Sequence, residues 1–185
     1  MDLNKLYDNN YHNNNYHDLS WTLNDTKDAI LTAMIPGAVG LISCLPYYKS
    51  NNPIEWWNSC KKPQWAPKSL HAYACIDLLT IAPVGFASYF IYKYANGLSN
   101  ALTVLSIGLY GTNLMLCFTS LSSMKKKDIN AVYYFSIGVH ITAAGSALIA
   151  YKIHRCAGLL MVPYVLWTGF HTFILHTMKS LNSEI

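Results

Sequence analysis

The sequence predicts an all-α membrane protein, a bundle of five transmembrane helices, and three observations lead to this fold class. Five long apolar runs follow one another along the 185-residue chain. The chain is 52% hydrophobic but only 12% charged, about half of the charged share of a soluble domain. The links between the runs are short and polar, which favours antiparallel neighbours in an up-down bundle.

Each apolar run can cross the hydrocarbon core of a bilayer, which is about 30 Å thick, because a helix rises about 1.5 Å per residue. In hydrocarbon every backbone polar group needs an internal partner, so runs of this length are predicted to be helices. The predicted helices are 29–48, 70–92, 98–121, 129–151 and 156–178. They define a membrane domain over residues 28–182.

Residues 1–27 are a polar tail rich in Asn, His and Tyr. A segment of this composition cannot bury a core, so we expect it to be disordered.

The basic residues predict how the bundle is oriented. Of the Lys and Arg residues that flank the five runs, five lie on the membrane side that holds the N-terminus and eight lie on the opposite side. The side richer in Lys and Arg is usually cytosolic, which predicts a cytosolic C-terminus. The basic residues form no stripe of the kind that binds nucleic acid. The five cysteines include no CxxC pair, and no metal site is predicted.

The link between the first two runs is the most distinctive segment. Here Pro63 and Pro67 flank Trp65, and each proline disfavours helix and pushes its predecessor toward extended geometry. An indole ring suits a membrane–water boundary or the lid of an apolar pocket. Residues alone therefore leave two interpretations of this segment, an interfacial anchor and a loop that closes over a ligand.

Asp77 is an acidic residue deep in a predicted span. A carboxylate at mid-membrane is costly, so it should face the bundle interior and have a partner or be neutral. It is either a functional group or a structural contact between helices. His140 is the first candidate for its partner and Tyr hydroxyls are others, whereas His171 is expected at the membrane interface. The pairs Gly37/Gly40 and Gly108/Gly111 are expected to let helices approach closely.

Three motifs resemble the TspO/MBR family, the translocator proteins also known as peripheral-type benzodiazepine receptors. Trp56-Trp57, followed by Lys62-Pro63-Gln64-Trp65-Ala66-Pro67, is similar to the family's first loop, an aromatic pair before Lys-Pro-x-Trp-x-Pro. Gly108-Leu109-Tyr110-Gly111-Thr112-Asn113-Leu114 is similar to its third helix, and Pro163-Tyr164-Val165-Leu166-Trp167-Thr168-Gly169-Phe170 to its fifth. The second-helix Trp of the family is missing near Ile76, so the chain resembles a divergent member.

The resemblance implies a pocket between the helices that binds a porphyrin or a sterol and is closed by the Trp56–Lys68 loop. No cofactor beyond that ligand and no catalytic residue is expected. The implied pocket and loop residues are Trp56, Lys62, Pro63, Trp65, Pro67, Asn113, Leu114, Cys117, Tyr164 and Trp167. The resemblance also implies, for a eukaryotic chain, the mitochondrial outer membrane, and it allows a homodimer.

Two alternative functions remain. The first is a transporter that uses Asp77, since acidic residues inside a span often mark transport pathways. The second is an enzyme that degrades porphyrins, as some family members are associated with this activity. The sequence has no HExxH motif, no convincing Ser-His-Asp triad and no phosphate loop, so binding is the favoured hypothesis.

Overall fold

The computed structural model describes residues 21–48, 52–95 and 97–182, and this part of the chain is almost entirely helical. Its six α-helices are α1 (Leu23–Tyr48), α2 (Asn52–Ser59), α3 (Leu70–Tyr94), α4 (Ala101–Lys125), α5 (Ile129–Ile153) and α6 (Arg155–Leu181). A short 3-10 turn, Gly97–Ser99, lies between α3 and α4. No strand occurs in the described ranges.

Four of these helices, α3 to α6, are long and apolar enough to cross a membrane. Their bounds lie within a few residues of the predicted runs. Helix α1 contains the first predicted run within its 26 residues. The search of the described residues identifies four candidate spans, so a fifth span through α1 stays a prediction.

Two helical segments differ from the expected polar regions. Helix α1 begins at Leu23, inside the predicted tail, because Thr22 and Asp25 cap its first turn reciprocally. The Asp25 amide donates to Thr22 Oγ1 at 3.2 Å, and the Thr22 amide donates to Asp25 Oδ2 at 2.7 Å. The second segment is α2, which carries Trp56 and Trp57 within the predicted loop. Residues 1–20 of the predicted tail lie outside the described residues.

The long helices pack in the order α1, α3, α6, α5 and α4 around the bundle. Only His154 separates α5 from α6, which makes these two helices antiparallel neighbours. The bundle therefore has two ends. The loop end holds α2, the link 60–69, the start of α5 and the end of α6. The other end is called the clamp end, after the ion pair of Asp25 with Lys93 that joins α1 to α3. It holds the start of α1, the end of α3 and the α5–α6 junction.

The tightest helix approaches are not at the expected glycine pairs. A Cβ at Gly85 of α3 would collide with the α1 backbone, lying 2.8 Å from Ala33 Cα and closer still to the Thr32 carbonyl oxygen. In contrast, a Cβ at Gly108 or Gly111 would meet nothing within 4 Å. The prediction of close packing at Gly108 and Gly111 is therefore wrong within this chain, since both face outward from α4.

Candidate ligand-binding site

A buried polar chain links three helices in the middle of the bundle. Asn113 of α4 donates through Nδ2 to the Val139 carbonyl at 2.7 Å and to Thr142 Oγ1 at 3.0 Å. Its Oδ1 accepts from the Tyr164 hydroxyl of α6 at 2.8 Å. Cys117 Sγ lies 3.8 Å from the same hydroxyl. Three of the predicted pocket residues thus meet, and each polar atom of the Asn113 amide has a partner.

Asp77 lies one helix away, and its partner differs from the expected one. Trp167 of α6 donates through Nε1 to Asp77 Oδ1 at 2.5 Å. His140 instead faces Thr168, with Nδ1 3.2 Å from Thr168 Oγ1, so the prediction of an Asp77–His140 pair is wrong. His171 of α6, Cys117 and Tyr164 are electrostatic neighbours of Asp77. The His171 ring packs against Tyr73 and Trp167, and its position at the membrane interface stays a prediction.

Four aromatic rings, from Trp57, Tyr73, Trp167 and His171, form a cluster beside this carboxylate toward the loop end. Tyr73 of α3 lies at its centre, with ring centroids 6.0 Å from Trp167 and 5.2 Å from His171. Trp57 of α2 meets the Tyr73 ring edge-on at 5.4 Å. Trp57 and Tyr73 are 1% and 2% exposed, yet Trp57 Nε1 and the Tyr73 hydroxyl have no hydrogen-bond partner among the described residues. The rings of the cluster are therefore closely packed, but two of its polar atoms lack a hydrogen-bond partner among the described residues.

The link 60–69 is anchored to α6 at two places. Trp65 stacks on Phe173 at 5.6 Å with an interplanar angle of 17°, and it also contacts Phe170 at 5.7 Å. The Lys61 amide donates to Asn182 Oδ1 at 2.9 Å, and Asn182 Nδ2 donates back to the Lys61 carbonyl at 2.9 Å. Trp65 remains 51% exposed. The ring thus anchors the link on the outer side of α6.

The Lys62 side chain folds back onto the backbone of its own segment. Its ammonium donates to the Trp57 carbonyl and, at 3.4 Å, to the Cys60 carbonyl. It also lies 5.4 Å from the Trp57 ring centroid. Burial lowers the pKa of the Lys62 ammonium below its ordinary value. Lys62 therefore ties α2 to the link that follows it.

The remaining predicted residues are Trp56, Pro63 and Pro67 of the same segment and Leu114 of α4. Pro63 is buried, and the Ala66 amide donates to its carbonyl at 3.1 Å, so Trp65 lies in a turn rather than in an extended stretch. Trp56 packs against the loop-end core, while Pro67 and Leu114 are partly buried. Among the described residues, no group of three or more His, Cys, Asp or Glu could hold a metal ion.

Comparison with known sequences identifies the family. A sequence model described as the TspO/MBR family matches residues 32–180, which include all of the predicted pocket and loop residues. The chain belongs to the TspO/MBR family. It is 32% identical over 128 residues to the uncharacterized membrane protein YtaB of Bacillus subtilis (strain 168), covering 69% of this chain and 81% of that protein. It is 28% identical over 126 residues to Translocator protein 2 of Canis lupus familiaris, covering 62% of this chain and 66% of that protein.

The TspO/MBR motifs led to Asn113, Tyr164 and Trp167 but not to Tyr73 or His171. Both missed residues carry a helical signal that was readable. Tyr73 lies four residues before Asp77 in α3, and His171 lies four residues after Trp167 in α6. Residues at this spacing share a helix face. Asp77, as an acidic residue within a predicted span, therefore also pointed to Tyr73 on the same helix face.

Proposed function

We propose that this member of the TspO/MBR family binds a flat apolar small molecule, a porphyrin or a sterol, in a pocket between its helices. The observation that carries the proposal is the aromatic cluster of Trp57, Tyr73, Trp167 and His171 beneath the anchored segment Trp56–Lys68. Small-molecule sites are mostly apolar and aromatic, with a few polar groups that fix orientation. This cluster, with Asp77 and the Asn113 amide near it, has that composition.

The anchored segment is suited to closing the pocket. It is fixed on α6 through Trp65 and Asn182, and it brings Trp57 down onto Tyr73. Loosening the anchor should therefore expose the cluster and weaken binding. In this proposal the same segment is both the anchor and the loop that closes over the ligand.

We further propose the cellular setting that the family resemblance and the charge distribution support. The Lys/Arg excess favours a cytosolic C-terminus and a loop end on the same side. The resemblance favours the mitochondrial outer membrane in a eukaryotic cell and allows a homodimer. The similarity to a protein named Translocator protein 2 supports a role in handling the bound molecule.

The test is quenching of tryptophan fluorescence by protoporphyrin IX, titrated into the full chain in nanodiscs. We expect saturable quenching, with an apparent Kd raised on the order of tenfold in Trp65→Ala, because the contact that holds the segment against α6 is lost. Trp21→Ala is the matched control, since Trp21 is 38% exposed and lies at the clamp end. Its Kd should equal that of the wild type.

A cholesterol competition separates the two ligand classes. Displacement of protoporphyrin by cholesterol supports one shared pocket. If the folded wild type shows no saturable quenching by protoporphyrin and no binding of a fluorescent sterol, the proposed function is wrong. Equal weakening by Trp65→Ala and Trp21→Ala contradicts the role of the anchored segment.

A further inference from the structure

The Asp77 carboxylate lies on the buried face of α3, yet it is less buried than the neighbouring residues of that face. Asp77 follows Tyr73 by four residues and precedes Val84 by seven, so it lies on the face of α3 that is buried against the bundle. Tyr73 and Val84 are 2% and 1% exposed, whereas Asp77 is only partly buried. Its hydrogen bond from Trp167 of α6 shows that the side chain faces the bundle interior rather than lipid.

The described residues leave this carboxylate incompletely satisfied. Asp77 Oδ1 accepts from Trp167, while no hydrogen bond to Oδ2 occurs in the part of the chain that the structure describes. His171 is one of its electrostatic neighbours, but the His171 ring is packed against Tyr73 and Trp167 and makes no hydrogen bond to Asp77 there. An ionised carboxylate in a low-dielectric site requires a cation or further donors.

The surrounding side chains fit a cation well. Faces of Trp and Tyr attract cations through the ring quadrupole, and a carboxylate adds a charge-assisted hydrogen bond. Here Trp167, Tyr73 and Asp77 lie together, with ring centroids of Trp167 and Tyr73 6.0 Å apart. The Tyr73 hydroxyl is buried without a partner and can accept a hydrogen bond from a protonated nitrogen.

We propose that Asp77 sets the ligand class of this site: the bundle prefers a flat aromatic molecule that carries a protonated nitrogen, and it places this cation against the Asp77 carboxylate. The inference rests on the proposed function, because it needs a pocket between the helices. Within that function it disfavours an orientation that puts the carboxylates of a porphyrin near α3, since like charges repel in a low-dielectric site.

The test uses a pair of probes that differ only in charge. Pyrenemethylamine is flat and protonated at neutral pH, and pyrenemethanol is its uncharged analogue. Each is titrated into the full chain in nanodiscs of a zwitterionic lipid, with energy transfer from tryptophan to pyrene as the signal. We expect the amine to bind more tightly by on the order of tenfold or more.

The variants assign this preference to one residue. In Asp77→Asn the preference for the amine should disappear while the affinity for pyrenemethanol is kept. In Asp77→Glu, which retains the charge, a preference should return. Asp28→Asn, which removes an exposed carboxylate from α1, is the matched control and should keep the wild-type ratio.

The outcomes separate this inference from the function beneath it. Equal affinities of the wild type for the two probes overturn the inference but leave the pocket in place, and this comparison holds even where Asp77→Asn does not fold. A preference that survives in folded Asp77→Asn also overturns it. Failure of pyrenemethylamine, pyrenemethanol, protoporphyrin IX and the fluorescent sterol to bind the folded wild type overturns the proposed function itself.

Discussion

The two ends of the bundle are both rich in aromatic residues, and each has a carboxylate among them, but only the clamp-end carboxylate is hydrogen-bonded through both oxygens. Each end also buries a polar atom without a hydrogen-bond partner in the described residues, as His154 Nδ1 does at the clamp end. At the clamp end, Asp25 Oδ2 pairs with Lys93 Nζ at 2.6 Å and accepts from the Thr22 hydroxyl at 2.6 Å. Asp25 Oδ1 accepts from the Tyr89 hydroxyl at 2.6 Å. Trp21 stacks on Phe90 at 4.8 Å, and its Nε1 donates to Thr26 Oγ1 at 2.8 Å.

The carboxylate at the loop end has fewer hydrogen-bond partners than the carboxylate at the clamp end. The Trp57 indole and the Tyr73 hydroxyl are buried without partners in the described residues, and Asp77 has a single hydrogen bond there. Buried polar groups are nearly always paired in native proteins, so an unpaired group suggests strain or an absent ligand. The comparison of Asp25 with Asp77 teaches that the hydrogen bonding of the carboxylate, rather than aromatic content, distinguishes the two ends.

The largest expected effect comes from opening the helix contact near the clamp end. Gly85→Val puts a branched side chain against the α1 backbone, where a Cβ alone would lie 2.8 Å from Ala33 Cα. We expect a loss of about 1–3 kcal/mol in the free energy of unfolding in detergent, or more if α1 separates from α3. The clamp residues Asp25 and Lys93 lie on these two helices, so their pairing should weaken as well.

Gly108→Val is the matched control for this contact. It introduces the same side chain on α4, where a Cβ meets nothing within 4 Å. The free energy of unfolding should change by less than about 0.5 kcal/mol. Equal destabilisation by both substitutions would show that the cost arises from valine in a helix and not from the contact.

The clamp itself should respond to pH. The ion pair with Lys93, followed by hydrogen bonds from Thr22 and Tyr89, holds the pKa of Asp25 well below its ordinary value of about 3.9. Because the folded pKa is depressed, this contribution to stability is complete above the ordinary value and is lost as the pH falls toward the folded one. The Tm of the wild type should therefore decrease on acidification below about pH 4.

Asp25→Asn removes the titrating group and shows whether the clamp carries this pH dependence. Its Tm should lie below that of the wild type near neutral pH, and the difference should shrink in acid. Asp28→Asn changes the same charge at an exposed position of α1 and should leave the wild-type pH profile intact. A constant Tm difference between wild type and Asp25→Asn across this pH range would contradict the assignment.

The sequence predicted the long helices because the bilayer restricts the choice of structure. A run such as 129–151 must satisfy its backbone internally, and the observed helix Ile129–Ile153 follows it closely. The start of α1 and all of α2 are polar and gave no hydropathy signal. The Thr22/Asp25 capping box was nevertheless readable from the spacing of the two residues.

The site was predictable within each helix but not between helices. The family resemblance pointed to Asn113 and Cys117, which lie four residues apart on one face of α4, and both reach Tyr164. The partner of Asp77 depends on how α3 and α6 are rotated against each other, which one sequence does not determine. For the same reason Gly85, and not Gly108, turned out to lie at a close helix crossing.

The smallest effect sharpens the comparison most directly, because it uses the same substitution at both ends of α3. Tyr89→Phe removes a hydroxyl that donates to Asp25, which should lower the free energy of unfolding by about 1–2 kcal/mol. Tyr73→Phe removes a buried hydroxyl without a partner, so stability should change by less than about 0.5 kcal/mol or increase. Chemical unfolding in one detergent measures both.

Ligand binding should rank the two variants in the reverse order. Tyr73→Phe should weaken binding of pyrenemethylamine, because the hydroxyl that is free in the described part of the bundle is then missing. Tyr89→Phe, whose hydroxyl bonds Asp25 at the other end, should bind it as the wild type does. If Tyr73→Phe instead destabilises the fold as much as Tyr89→Phe, the Tyr73 hydroxyl has a structural partner, and the contrast between the bonded Tyr89 hydroxyl and the unbonded Tyr73 hydroxyl fails.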